Sequence, residues 1–140
     1  MIGNIKIKEI MTTDVMSVHD SENLSVVAKI FRENPIHHVP VLKGKRPVGI
    51  ISTQDLFKLI FDFDSIDTRL LVTLLDHSYK IKDVMTDKLV IFEEESTLKD
   101  AAKILSDSSL HSIMVVNSKG DLTGIVTTTD LMRFLYKNIE

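Results

Sequence analysis

Cysteine is absent from the 140-residue chain, so disulfides, thiolate-bound zinc and thiol nucleophiles are excluded. Tryptophan is absent as well, aromatic side chains make up only 6% of residues, and there are five glycines and three prolines. That scarcity excludes collagen-like and low-complexity polymers and leaves little for stacking nucleic-acid bases. Long apolar runs are also missing. Leu89–Phe92 and Ile113–Val116, the longest, have four residues each, far short of the roughly 20 that a membrane helix needs. Lys6, Lys8 and Glu9 interrupt the opening residues, so no secretory leader is visible, and a soluble cytoplasmic protein without a membrane partner is expected. Seventeen basic against twenty acidic side chains give a net charge of −3, without the basic stripe of a phosphate-backbone binder, so nucleic acid is not an expected partner. The remainder, 44% hydrophobic and 26% charged residues, is the mixture of a globular chain long enough to bury a core.

An internal duplication organises the chain. Residues 5–42 align with 79–116 at a constant offset of 74; after one inserted residue, 47–60 align with 122–135 at an offset of 75. Sixteen of these 52 aligned positions are identical, among them Met11/Met85, Thr12/Thr86, Leu24/Leu98, Ala28/Ala102, His37/His111, Gly49/Gly124 and Asp55/Asp130. Background composition would match roughly one position in sixteen, so the protein is two copies of one unit. The expected organisation is a first copy over 5–62, a helical connector over 63–78 and a second copy over 79–137. Each copy is small for a self-sufficient core, and the two are expected to pack into one module.

Both copies carry the same element pattern. Leu24, Val27, Ala28 and Phe31 fall at i, i+3, i+4 and i+7, as do Leu98, Ala101, Ala102 and Leu105, which predicts one apolar helix stripe per copy. Asn23 and Thr97 stand at the N-cap positions, and Asp100 can close a capping box with Thr97. The β-branched runs at 39–42 and 113–116, the turns at 43–45 and 117–121, and the runs at 48–51 and 122–126 predict a hairpin in each copy. A second helix then starts at Ser52 or Thr127, with Leu56, Leu59, Ile60 and Phe63 on one face in the first copy. The fold class expected is α/β, each repeat a small mixed β-sheet with two main helices. In the connector, Leu70, Leu71, Val72, Leu74 and Leu75 nearly encircle a helix and need cover on more than one side. Packing between the copies and a subunit interface, to which Phe57, Phe61 and Phe134 could add, are equally good sources of that cover.

One segment recurs in more detail than a fold requires: Gly49-Ile50-Ile51-Ser52-Thr53-Gln54-Asp55 and Gly124-Ile125-Val126-Thr127-Thr128-Thr129-Asp130. A glycine opens a buried strand, a hydroxyl residue ends it, and a carboxylate follows on the first turn of a helix. A capping box alone accounts for the Ser/Thr-x-x-Asp pair and stabilises a helix start by about 1 kcal/mol. The same geometry also suits a ligand. The free N–H groups of a helix start attract phosphate, and a carboxylate can accept from the vicinal hydroxyls of a ribose. Recurrence in register favours the second use.

The duplicated pattern resembles a tandem pair of CBS domains, the regulatory Bateman module. The resemblance rests on Ile10-Met11-Thr12 and Val84-Met85-Thr86 opening each copy, the first-helix Leu24…Ala28 and Leu98…Ala102, His37-His38-Val39-Pro40-Val41 and His111-Ser112-Ile113-Met114-Val115, and the closing Gly-Φ-Φ-[Ser/Thr]-x-x-Asp. It covers residues 5–135 in order and spacing. It implies two pseudo-symmetric repeats with clefts between their sheets that take adenosine-containing ligands: AMP, ADP, ATP or S-adenosylmethionine. Under this resemblance Asp55 and Asp130 hold ribose hydroxyls, while Ser52 and Thr127 lie near the ribose or first phosphate. Thr12 and Thr86, with the backbone at Met16 and Val90, border the adenine, and His37, His38, Pro40, His111 and Ser112 form the phosphate-facing edges. Asp130 then serves the cleft edged by Met16 and His37, and Asp55 the one edged by Val90 and His111. No arginine replaces His38 or Ser112, so bidentate phosphate recognition is missing there and AMP is the preferred expectation. The resemblance further implies a disc-like homodimer and a regulated protein partner, with the nucleotide as regulatory ligand and no other cofactor.

Enzymatic readings find no support. Adjacent His37 and His38 on an extended segment point to opposite faces and would rarely share a metal ion. Glu93-Glu94-Glu95 precedes a helix cap, where acidic residues favour the dipole, and reads as a solvated entrance. No P-loop, dinucleotide glycine pattern or Ser-His-Asp arrangement is present. The expectation is a regulatory, non-catalytic ligand-binding module. A ligand-free dimerisation module, with Ser52/Asp55 and Thr127/Asp130 acting only as caps, is the competing one.

Overall fold

The computed structural model describes residues 1–60, 68–107 and 109–140. The chain divides into two compact units, a central one of Met16–Lys88 and a terminal one that joins Met1–Val15 to Leu89–Glu140.

In the central unit, β1 (Val18–His19) leads into α1 (Leu24–Glu33), the hairpin β2 (His38–Lys43) and β3 (Arg46–Ser52), α2 (Thr53–Ile60), α3 (Thr68–Ser78) and a single turn, α4 (Ile81–Val84). The sheet order is β1-β2-β3, with β1 parallel and β3 antiparallel to β2. Gly44 turns the hairpin at φ 63, a left-handed conformation that glycine adopts without steric cost. The α1 stripe delivers Leu24 and Val27 onto Val39, Val41 and Ile51 of the sheet, joined by Leu56 of α2, Leu75 of α3 and Ile81 of α4. Leu75 thus draws the connector helix into this core, while Leu70 on the same helix stays 53% exposed. Phe61 and Phe63 lie outside the described residues, as do the side chains of Ile60, Leu71 and Val72. Asn23 occupies the N-cap of α1 but makes no side-chain cap bond. Asp76 of α3 supplies the acceptor instead, taking the Ser25 N–H at 2.8 Å. A cap from the connector fastens α3 to α1 as well as satisfying an orphan donor.

In the terminal unit, 3₁₀ turns at Ile2–Asn4 and Ile7–Glu9 precede β4 (Ile91–Glu93), α5 (Leu98–Leu105), β5 (Ser112–Val116), β6 (Leu122–Thr127) and α6 (Thr128–Asn138). The sheet repeats the same topology, β4-β5-β6, with a parallel and then an antiparallel pairing. Ile7 is fully buried among Ala101, Leu105, Ile113, Val115 and Val126. The Ile7 N–H donates to Ser96 O and the Leu98 N–H to Ile5 O, both at 2.7 Å. Lys8 pairs with Glu95, so the acidic run is partly neutralised by the docked N-terminal segment. The Thr97–Asp100 capping box forms at the start of α5.

The folding units are offset from the sequence repeats by one segment. Residues 5–14 copy those at 79–88, yet each segment docks on the strands of the other copy. Thr12 bridges Ile125 of β6, and Thr86 bridges Ile50 of β3. The lock is methionine against glycine: a Cβ on Gly124 would lie 2.3 Å from Met11 Sδ, and one on Gly49 at 2.3 Å from Met85 Sδ. Each strand glycine is therefore the seat of a side chain from the swapped segment, a specific packing role for both methionines.

Candidate functional site

The hydroxyl-and-carboxylate pairs form where β3 and β6 run into helices. In the central unit, Ser52 ends β3 directly across from His38, and the Thr53 N–H donates to His37 O at 3.0 Å, fixing the turn into α2. The Ser52 N–H donates to Asp55 Oδ2 at 2.8 Å, and the Asp55 N–H returns a bond to Ser52 Oγ at 3.1 Å. That is a reciprocal capping box on a half-buried pair. Thr86 is exposed and held by two backbone bonds to Ile50, of 2.9 and 3.0 Å, two residues before Ser52.

In the terminal unit the same backbone carries a fuller network. The Thr127 N–H donates to Asp130 Oδ2 at 2.8 Å, the Thr127 hydroxyl to the same oxygen at 3.1 Å, and the Asp130 N–H to Thr127 Oγ1 at 3.3 Å. The other oxygen, Oδ1, accepts from the Thr12 hydroxyl at 3.0 Å and from Arg133 at 3.5 Å. Asp130 is 8% exposed, the one buried charged side chain among the described residues. Burial of a carboxylate is tolerable only with such donors, and the helix N-terminus adds a favourable field.

The structure thus brings His38, Ser52, Asp55 and Thr86 to one strand end, and Ser112, Thr127, Asp130 and Thr12 to the other, Ser112 standing across from Thr127. Pro40 is fully buried in β2 opposite Ile50. Met16 is 41% exposed ahead of β1, and Val90 O, ahead of β4, accepts from the Met114 N–H at 3.0 Å. His37 and His111 are exposed beside the first residues of β2 and β5. Arg133, absent from the sequence expectation, joins the terminal set; its position three residues after Asp130 on a helix was the available signal. Among the described residues no group of three His, Asp or Glu is placed to hold a metal ion, and no helix is long and apolar enough to cross a membrane.

Arranged this way, each strand end presents a hydroxyl and a carboxylate at the start of a helix, group types used in sugar and phosphate recognition. A family model described as CBS domain matches residues 7–62 and again 81–137. The protein MJ1426 of Methanocaldococcus jannaschii is 32% identical over 152 residues, spanning 92% of this chain and 90% of that one. The crystal structure of CBSX2 in complex with AMP superposes with a TM-score of 0.78 at 23% identity, over 95% of this chain and 97% of that chain. The CBS domain pair of MJ0100, in complex with 5′-methylthioadenosine and S-adenosyl-L-methionine, gives 0.77 at 21% identity, over 96% and 98%.

Proposed function

Because this chain belongs to the CBS-domain family, we propose that it is a regulatory module that binds an adenosine-containing ligand, AMP foremost, and alters a protein partner or its own assembly. The observation that carries this reading is the repeated carboxylate at a helix start, Asp55 and Asp130, each three residues beyond a hydroxyl at a strand end. Structurally similar CBS pairs were crystallised with AMP and with S-adenosylmethionine, which supports an adenosine ligand. Ser112 and His38 stand where an arginine would grip polyphosphate, which favours AMP over ATP. Regulation is linkage: a ligand that prefers one conformation shifts the population by its differential affinity and no more. The exposed Met132, Leu135, Tyr136 and Ile139 fall on one face of α6, extending past its C-terminus, and Phe57 is 58% exposed on α2. The apolar face of α6 fits a homodimer.

A second reading has its own observation. Both aspartates already accept from the N–H at their own helix caps, which suffices for a ligand-free assembly module. A thermal-shift panel of AMP, ADP, ATP, S-adenosylmethionine and adenosine separates the two. A true ligand raises the unfolding midpoint in a concentration-dependent way by mass action. A flat response to all five overturns the nucleotide reading in favour of assembly alone.

A further inference from the structure

The duplication has kept the backbone of the two sheets and reversed the charge at one end of each. In the central unit, His19 closes β1 beside Leu42, where β2 runs into the hairpin tip Lys43-Gly44-Lys45-Arg46. Lys43, Lys45 and Arg46 are exposed, and Lys82 of α4 reaches the same end, 3.8 Å from Asp20. The carboxylates there are already engaged: Asp20 with Lys82 and with His19 Nδ1, and Glu22 with the His19 N–H at 2.7 Å. In the terminal unit Glu93-Glu94-Glu95 replace His19-Asp20-Ser21 in register, and Lys8 replaces Lys82. Glu93 stands beside Val116, where β5 runs into the turn that holds Lys119 and Asp121. Leaving histidine aside, four basic and two acidic side chains mark one end, and four acidic and two basic mark the other. Among the described residues Lys43, Lys45, Glu93 and Glu94 form no ion pair.

We infer that these ends are complementary docking surfaces: the basic hairpin end of the central unit takes the acidic end of the terminal unit in a second copy of this chain. The fold requires neither sign, because the same sheet end carries both. The basic tip is also held in one form. The Gly44 N–H donates to His19 Nε2 at 3.2 Å, which ties the turn to β1, so docking has little backbone left to order. Charge complementarity names the occupant. A chain of net charge −3 repels its own copies as a whole, so a charge-driven contact needs opposite patches face to face. Glu93-Glu94-Glu95 is the densest acidic run of the sequence. Because the contact joins different patches on the two copies, it is heterologous and leaves one basic and one acidic end open for further copies. It is separate from the apolar face of α6 and independent of the nucleotide reading. Exposed ion pairs are individually weak and are screened beyond about 10 Å at 0.1 M salt, so the contact belongs to dilute salt.

Sedimentation of the full chain at about 50 mM and about 500 mM salt tests this, on either side of effective screening. The wild type should form larger, concentration-dependent species in the dilute salt and lose them in the concentrated one. Two charge reversals follow, Lys43→Glu with Lys45→Glu, and Glu93→Lys with Glu94→Lys. Each doubly substituted chain alone should keep its high-salt size in dilute salt, since both of its ends then carry one sign. An equal mixture of the two should associate again, because the reversed hairpin of one meets the reversed run of the other. That rescue also shows that both variants are folded. Should either fail to fold, the milder Lys45→Gln and Glu93→Gln should each weaken the low-salt association by about twofold to fivefold, the scale of one exposed ion pair. A wild type of the same size in both salts overturns the inference, and leaves the α6 face and the nucleotide reading standing. So does a reversed variant that associates alone as well as the wild type, or a mixture of folded variants that stays apart.

Discussion

Removing the carboxylate of Asp130 should cost more stability than removing that of Asp55, and the excess should trace to Thr12. Both aspartates complete capping boxes, and losing a cap costs about 1 kcal/mol. Asp130 does more. It also accepts from the Thr12 hydroxyl at 3.0 Å, and hydrogen bonds to charged groups contribute about 1.5–3 kcal/mol when buried. Thr12 is exposed on its outer side, which brings its share to about 1 kcal/mol. The Arg133 pair is 59% exposed at the arginine and adds little. Asp55→Ala should therefore lose about 1 kcal/mol and Asp130→Ala about 2 kcal/mol, from a total of roughly 5–15. Urea unfolding of Thr12→Val, Asp130→Ala and the double variant closes the cycle and should return a coupling of about 1 kcal/mol. Equal losses for the two alanine variants, or a coupling indistinguishable from zero, would refute a stabilising Thr12–Asp130 bond.

Gly49→Ala should destabilise the central unit by about 1–3 kcal/mol through overpacking, because the new methyl meets Met85 Cβ at 3.1 Å as well as the movable Sδ; urea midpoints check it, and a neutral result would mean the methionine is not seated on the glycine. The Lys8 hydrogen bond, and then its charge, hold the Glu95 carboxyl below its ordinary range. A depressed carboxyl contributes stability above its unfolded pKa, about 4.3, and loses it as pH falls through the lower folded value. Glu95→Gln should thus show a deficit against wild type at neutral pH that vanishes in stronger acid, measured by unfolding across pH; a constant deficit contradicts the ion pair. Sedimentation of the wild type should report a dimer, and Met132→Glu with Tyr136→Lys should shift it to monomer; a monomeric wild type rejects the helix-face interface.

The internal duplication made both candidate sites visible as residues in register, and apolar spacing placed the helices and hairpins that carry them. What the alignment of the copies could not convey is where each opening segment docks. Met11 and Met85 are the same residue in the same context, so only the glycine seats at Gly124 and Gly49 reveal the exchange. The cap of α1 escaped for a related reason: Asp76 lies 51 residues from Ser25, and a local motif pointed to Asn23. Leu75 buries in the core of the central unit itself, a source of cover that the spacing did not single out, while Leu70 on the same helix stays exposed. The capping motif reads alike at Asp55 and Asp130. The difference between them comes from Thr12 and Arg133, one of which arrives from 118 residues away.

The central claim is that a carboxylate at a helix start grips a ribose, and AMP set against 2′-deoxy-AMP addresses it most directly. Titrated side by side into the wild-type chain, the deoxy analogue should bind about tenfold more weakly, since one carboxylate lone pair loses its donor. Equal affinities for the two would contradict the account.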